Sequence, residues 1–321
     1  MSKITWQFDY RYTVRAEDTI TGFPENLTSY SGFLTDLYDS DTYGGTPGIL
    51  TKFNFSNITD ARSLFQRCKF KIIPLIDTSN VTNMDKMFYN CQKLVTIPLI
   101  DTSKVTNMAY MFYQCSNLVS IPELDTSNVT NMDNMFSYCQ TLLYIPELDT
   151  SNVTNMRYMF YNCQKITSLP QLNTSNVTNM EYIFANCGEL RIIPQFDTSK
   201  VTNFNYTLNA CNNLEFIPEL DMSSCITFYD LFGYNNATYM KYVGGFKNLG
   251  KVSDMKLSST SSTFKRCPNL TKESVLNIIN GLYDRASAGY STLTMSLHAN
   301  SLALLTDEEK AIATNKGWIL S

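Results

Sequence analysis

From Asp77 to about Leu220 the apolar and polar positions follow one schedule that returns every 24 residues. Blocks open at Asp77, Asp101, Asp125, Asp149, Asn173 and Asp197, and each reads close to D-T-S-N-V-T-N-M-x-x-M-F-x-x-C-x-x-L-x-x-I-P-x-L. In the first block Val81, Met84, Met87, Phe88 and Cys91 are spaced 3, 3, 1 and 3. That spacing predicts one side of a short helix-like turn. Leu94 and Ile97 then enter the core from a short extended segment, and Pro98, which has no backbone donor, forces a turn. A unit this small cannot bury its apolar face alone and must stack on its neighbours. The expected architecture is an α/β repeat solenoid whose short parallel strands lie about 4.8 Å apart.

Both ends depart from the schedule. Residues 1–50 are aromatic-rich and carry turn signals at Gly22-Phe23-Pro24, Asp39-Ser40-Asp41 and Gly44-Gly45-Thr46-Pro47-Gly48. They predict a β-rich cap or attachment segment, with Met1–Asp9 alternating as a strand. Residues 51–270 form the repeat region, regular over 77–220 and degenerate at both ends. Asn54–Pro74 is a worn first copy, Asn235 stands where a cysteine is due, and 236–250 reads as irregular around Gly244-Gly245. Residues 271–321 form a C-terminal α/β cap. There, Val275, Ile278, Ile279 and Leu282 predict an amphipathic helix. Leu293, Met295 and Leu297 predict a strand. Thr306-x-x-Glu309 is a capping box opening a helix to about Asn315, with Gly317 as its stop.

Composition narrows the chemistry. Charged residues are 17%, against about a quarter in ordinary proteins, so Asn, Ser, Thr and Tyr supply the polarity. A net charge of −4 offers no basic field for nucleic acid. No apolar run is long enough for a membrane span, and the N-terminus lacks the apolar core of a secretory signal. Nine cysteines without a C-x-x-C pair, and one histidine, His298, give neither a disulfide framework nor a zinc site. The thiols are expected to form a buried ladder from Cys91 to Cys211. The Asp77-Thr78-Ser79 corner predicts turn capping rather than calcium binding, because Asn173 replaces one aspartate. Asn83 and its equivalents never vary within the array and predict an amide ladder between turns. No cofactor or metal is implied, and nothing marks a nucleophile–base pair or a carboxylate pair of the glycosidase kind, so no enzyme is expected.

The motif D-x-S-x-V-T-N-M-x-x-M-F-x-x-C-x-x-L-x-x-I-P, matched over about 54–235 with an echo near 270, resembles the BspA-like leucine-rich repeats. The stretch Leu302–Trp318 resembles tails on such proteins from gut bacteria and their phages. The resemblance implies a leucine-rich-repeat-like stack with no catalytic residues in the repeat and a role in surface recognition or adhesion. Without an export signal, the expectation is a phage virion-associated protein, a fibre or decoration component, and alternatively a bacterial cell-surface adhesin. Its partners would be a host-surface protein or glycan and, through a terminal segment, other virion proteins, with no nucleic acid and no membrane insertion.

Binding chemistry is then sought in the variable positions. Two residues after the first Met the chain reads Lys86, Tyr110, Asn134, Tyr158, Tyr182 and Tyr206. Three further on it reads Tyr89, Tyr113, Ser137, Tyr161, Ala185 and Asn209. These positions are expected to face solvent, with Tyr110–Tyr113 and Tyr158–Tyr161 as neighbours. Such a surface combines rigid aromatic contact with adaptable hydrogen bonding. A second candidate runs along the strand: Val95-Thr96, Val119-Ser120, Leu143-Tyr144, Thr167-Ser168, Arg191-Ile192 and Glu215-Phe216. The candidate partner-binding set is Tyr110, Tyr113, Tyr144, Tyr158, Tyr161, Tyr182 and Tyr206.

Overall fold

The computed structural model describes residues 3–5, 19–21, 55–73, 75–232, 239–257 and 264–321. Two compact units result, Met1–Asn152 and Val153–Ser321. In the first, β1 (Lys3–Thr5) pairs in parallel with β2 (Thr19–Thr21). The rest of the 1–50 expectation, Pro74 and Asn235 lie outside the described residues.

The repeat is not built on a helix. Residues 84–91 form a chain of turns in which the backbone amides divide between two lattices. Met84, Lys86, Phe88 and Asn90 donate N–H to the carbonyls of Asn107, Ala109, Met111 and Tyr113 in the next repeat, at 2.6–3.0 Å. Met87, Tyr89 and Cys91 donate three residues back, to Met84, Lys86 and Phe88. The remaining amide, of Asp85, donates to Asn83 Oδ1 at 3.0 Å. Every N–H of this segment is therefore satisfied, as burial demands. The 3, 3, 1, 3 apolar spacing fits a run of such turns as well as a helix. The backbone decides, because Lys86 and Asn90 have φ of 57° and 59°, which no α-helix accommodates.

This accounting also explains the array's invariant asparagine. The sequence suggested an amide ladder between turns, but the side chain of Asn83 acts inside its own repeat. So do Asn107, Asn131, Asn155, Asn179 and Asn203, each accepting the amide two residues on. Between repeats it is the asparagine backbone that pairs, in parallel bridges from Asp60 through Asn131 in the first unit and from Asn155 to Thr227 in the second. The side-chain ladder belongs to a different residue: Asn80, Asn128 and Asn152 donate to Ser56, Ser103 and Ser127 carbonyls of the preceding repeat.

The aspartate corner is an Asx turn. Asp77 Oδ1 accepts both the amide and the hydroxyl of Ser79, at 3.0 and 2.7 Å, and Asn173 does the same for Ser175. Serine's hydrogen bonds hold the Asp77, Asp101, Asp125, Asp149 and Asp197 carboxyls below the usual range. A depressed folded value stabilises above the unfolded value near pH 4, and that stabilisation is lost as pH falls through the folded value. In urea titrations, a Ser103→Ala/Ser127→Ala variant should trail the wild type at about pH 7 and converge on it in acid, as pH falls through the depressed folded values. A gap unchanged in acid would contradict the assignment.

The core is a set of ladders. Phe65, Phe88, Phe112 and Phe136 stack at 5.5–5.6 Å between ring centroids and within 10° of parallel. Phe160 and Phe184 stack in the second unit at 5.9 Å. Each ladder thiol is buried and hydrogen-bonded: Cys91, Cys115 and Cys139 donate Sγ–H to the carbonyls of Phe65, Phe88 and Phe112, at 2.9–3.1 Å. Burial pushes the Cys211 thiol up to about 12 and raises Cys115 and Cys187 well above the ordinary range. All nine cysteines are buried and none is in a disulfide. A thiol reagent should therefore find none in the native protein and all nine in denaturant. Stoichiometric labelling of any of them under native conditions would refute the burial argument.

The 236–250 stretch, which the sequence reads as irregular, keeps the parallel pairing where it is described. β3 (Phe216–Ile217) and β4 (Leu220–Asp221) pair with β6 (Tyr242–Val243) and β7 (Phe246–Lys247), while β5 (Thr227–Phe228) pairs with β8 (Lys256–Leu257). Gly244 is required there, since a Cβ would sit 2.4 Å from the Glu219 amide nitrogen. Helix α1 (Lys272–Gly281), capped by Thr271, buries Val275, Ile278 and Ile279. Strand β9 (Leu293–Met295) pairs in parallel with β10 (Trp318–Leu320). Between them lie α2 (Ala299–Ala303), which the sequence reading lacked, and α3 (Asp307–Asn315), opened by the Thr306–Glu309 capping box.

Candidate recognition surface

The turn segments leave two rows of residues on the side of each repeat, and the first lies in left-handed backbone. Tyr110, Tyr158, Tyr182 and Tyr206 all have φ of 55–56°. A left-handed conformation costs a bulky residue about 1–2 kcal/mol, where Asn or Gly would fit more cheaply. Asn134 occupies the same position in its repeat.

Stacking offsets that cost. Tyr158, Tyr182 and Tyr206 form a column with ring centroids 4.7 Å apart and planes within 16°. Tyr161 meets Tyr158 edge-on at 5.4 Å and Tyr182 at 6.0 Å. The Arg157 guanidinium lies 4.8 Å from the Tyr158 ring centre and forms a 2.7 Å ion pair with Glu181. In the first unit Tyr89 stacks on Tyr113 at 4.8 Å, Tyr110 tilts against Tyr113 at 5.6 Å, and Tyr138 meets Tyr113 edge-on at 5.5 Å. Lys86 Nζ lies 5.3 Å from the Tyr110 ring centre. Aromatic pairs contribute about 0.5–1.5 kcal/mol each, comparable to the backbone cost.

The tyrosine neighbours are present, and the rows expected to face solvent do so only in part. Tyr110, Tyr113, Tyr158, Tyr161, Tyr182 and Tyr206 are half-buried, and Asn134, Ser137 and Ala185 in the same rows are buried. Their ring faces lie against one another, so the surface presents ring edges and phenol oxygens. Burial, ahead of neighbouring phenols and Glu181, pushes the Tyr182 hydroxyl up to about 12 and raises Tyr158 as well. Both stay neutral at physiological pH and can donate as well as accept. Tyr144 stands apart from both columns, 62% exposed on the strand side.

Sequence reading omitted Tyr89, Tyr138, Arg157 and Glu181 from the set. The 24-residue spacing that puts Tyr89 one repeat before Tyr113 was the available signal. Along the strand side Val119 N–H donates to Val95 and Leu143 N–H to Val119, leaving those three side chains exposed. Ile192 and Phe216 are exposed in the second unit, with Phe216 stacked on Tyr242 at 5.0 Å. Among the described residues no group of acidic, cysteine or histidine side chains is arranged to hold a metal, and no helix is long and apolar enough to cross a membrane.

These features define a repeat solenoid of stacked 24-residue units with short parallel pairing between them. The chain belongs to the family described as "Mycoplasma protein of unknown function, DUF285", whose model matches residues 41–142, 90–192, 142–249 and 167–271. Solved structures that it resembles include a leucine-rich repeat protein from Bacteroides ovatus, at 15% identity and TM-score 0.28 over 68% of this chain and 70% of that one. Another is TLR13 in its complex with ssRNA13, at 14% identity and TM-score 0.30 over 76% and 40%. A third is the functional domain of InlJ from Listeria monocytogenes, described as including a cysteine ladder, at 14% identity and TM-score 0.23 over 87% and 67%. No curated protein matches the chain.

Proposed function

We propose that this protein is a non-enzymatic recognition module that binds a protein or glycan through the tyrosine side of its repeats. The observation that carries this reading is the Tyr158–Tyr182–Tyr206 column, in which three successive repeats place tyrosine in a backbone conformation that asparagine fits with less strain. Because the rings stack on each other, the column recognises by hydrogen bonds from phenols and by ring edges, not by sandwiching a sugar face. The setting we propose is a phage particle, with a bacterial surface adhesin as the alternative. The resemblance of the C-terminal stretch, to tails of gut-bacterial and phage proteins alike, fits both settings. The buried thiols do not bear on the choice, since each is shut in the core by the repeat itself and would stay reduced in either compartment.

A Tyr158→Ser/Tyr161→Ser variant tests the surface. On glycan arrays and host-cell binding assays it should lose at least about tenfold in affinity, as expected for paired aromatic anchors. Unchanged binding by a folded variant would refute the tyrosine reading. Peptide mass mapping of purified particles tests the setting: recovery from cell envelopes and never from virions would overturn the phage assignment. Release of oligosaccharide from host capsular polysaccharide would overturn the non-enzymatic one.

A further inference from the structure

The first unit carries a groove of about 730 Å³ whose floor includes Leu99 and Leu124 and whose walls include the carboxylates of Asp101, Glu123, Asp125 and Glu147. No cation lines it. Some acidic side chains of other repeats are matched by a cation from an adjacent repeat, as in Arg157–Glu181, Lys165–Glu189 and Lys241–Glu215, at 2.7–3.8 Å. Among the described residues Glu123 and Glu147 have no ion-pair partner, and the nearby Lys104 ammonium is turned to Asn80 Oδ1 at 2.8 Å. Asp125 is further opposed by the like charges of Asp101 and Asp149.

A second feature distinguishes the groove. In other repeats the corner threonine closes its own hydrogen bond: Thr78, Thr174 and Thr198 donate to the carbonyls of Asp101, Asp197 and Asp221, at 2.7–2.8 Å. Thr102, which lines the groove and is 2% exposed, leaves its hydroxyl without a partner. The same is true of Thr126 in the following repeat. The polar lattice is thus open beside Glu123 and Glu147, while Asp101 is partly offset by the Lys104 charge. The carboxylates do not converge as a metal site requires. They are spread over successive repeats, which suits several cations carried along a chain. The apolar floor continues outward through Leu99, 65% exposed, and its equivalent Leu75, 76% exposed.

We propose that this groove docks a basic, extended segment of a protein partner. Lysine or arginine side chains face Glu123, Glu147 and the aspartate row, and an apolar side chain rests on Leu99 and Leu124. The site is separate from the tyrosine column.

The test is fluorescence anisotropy of the whole chain with a labelled peptide of alternating Lys and Leu, against a Glu–Leu counterpart. Saturable binding of the Lys peptide alone is expected, weakening with salt and by about fivefold or more in a Glu123→Gln/Glu147→Gln variant. Both substituted side chains are exposed, and an unchanged melting curve verifies the fold. Leu99→Ser should weaken binding as well, while Tyr158→Ser/Tyr161→Ser should not, which separates this proposal from the tyrosine reading. Equal affinity in the double glutamine variant, equal binding of the acidic peptide, or no saturable binding would each overturn it.

Discussion

Replacing Phe112 by alanine is expected to destabilise the first unit by about 3–5 kcal/mol. Phe112 is fully buried between Phe88 and Phe136, with centroids 5.5 and 5.6 Å away. Its truncation removes the transfer energy of one ring and both stacking partners. The cavity cannot collapse, because the backbone on either side is pinned to the adjacent repeats. The Phe112 amide donates to Met135, and its carbonyl accepts the Cys115 amide and the Cys139 thiol. In urea unfolding followed by circular dichroism, the transition of the first unit should move to lower denaturant. Hydrogen exchange should quicken most at Phe88, Phe112 and Phe136. Phe112→Leu, which keeps most of the volume, should cost less than half as much. A loss below about 1 kcal/mol for the alanine variant would mean that the ladder repacks, contrary to a close-packed core.

An effect of similar size is expected in the second unit from Arg285→Met. The Arg285 side chain is fully buried, and among the described residues it has no acidic partner. Its guanidinium is held by backbone carbonyls instead: Nε donates to Ser291 at 2.8 Å, Nη1 to Gly250 at 2.6 Å and Val252 at 3.2 Å, and Nη2 to Ser253 at 3.2 Å. The Tyr290 ring packs against it at 5.3 Å. Arginine suits this role because its planar fork points five donors in fixed directions. Methionine fills much of the volume but leaves four carbonyls without their donors, that of Gly250 buried and those of Val252, Ser253 and Ser291 part-buried, for a cost of about 3–5 kcal/mol. Arg285→Lys should recover only part of it, since an ammonium cannot reach acceptors spread over two segments. Thermal melting and exchange at residues 250–253 and 291–295 would measure both. Indistinguishable stability of wild type and Arg285→Met would show that these carbonyls find other donors.

The inward half of each repeat was legible because it meets the same surroundings in every turn. Val81, Met84, Met87, Phe88, Cys91, Leu94 and Ile97 recur at fixed spacing, and all are buried. The C-terminal helix α3 was legible for a local reason, since the Thr306–Glu309 capping box needs only four residues. Gly317 likewise stops it with φ of 79°. The backbone between the inward positions was not legible. Turns bonded three residues back bring nearly the same side chains inward as a helix does. Only the alternation of amides between the residue's own turn and the next repeat separates the two, and that depends on a neighbour 23 residues away.

The candidate surfaces divide in the same way. Residue type and spacing marked the tyrosines and predicted the Tyr110–Tyr113 and Tyr158–Tyr161 contacts, but not that rings one repeat apart would close face to face and hide half their surface. Nor could spacing show that Thr102 loses the bond that Thr78 keeps, or that Glu123 and Glu147 go without the cations found beside Glu181 and Glu189. By itself the sequence determined the stack, its period and its core ladders, because a strict repeat of apolar positions admits no other burial. Only the tertiary structure decided how the backbone turns, which aromatic faces are spent on one another and where charge is left uncompensated. Those outcomes depend on side chains meeting across the gap between repeats, where no local pattern reports them.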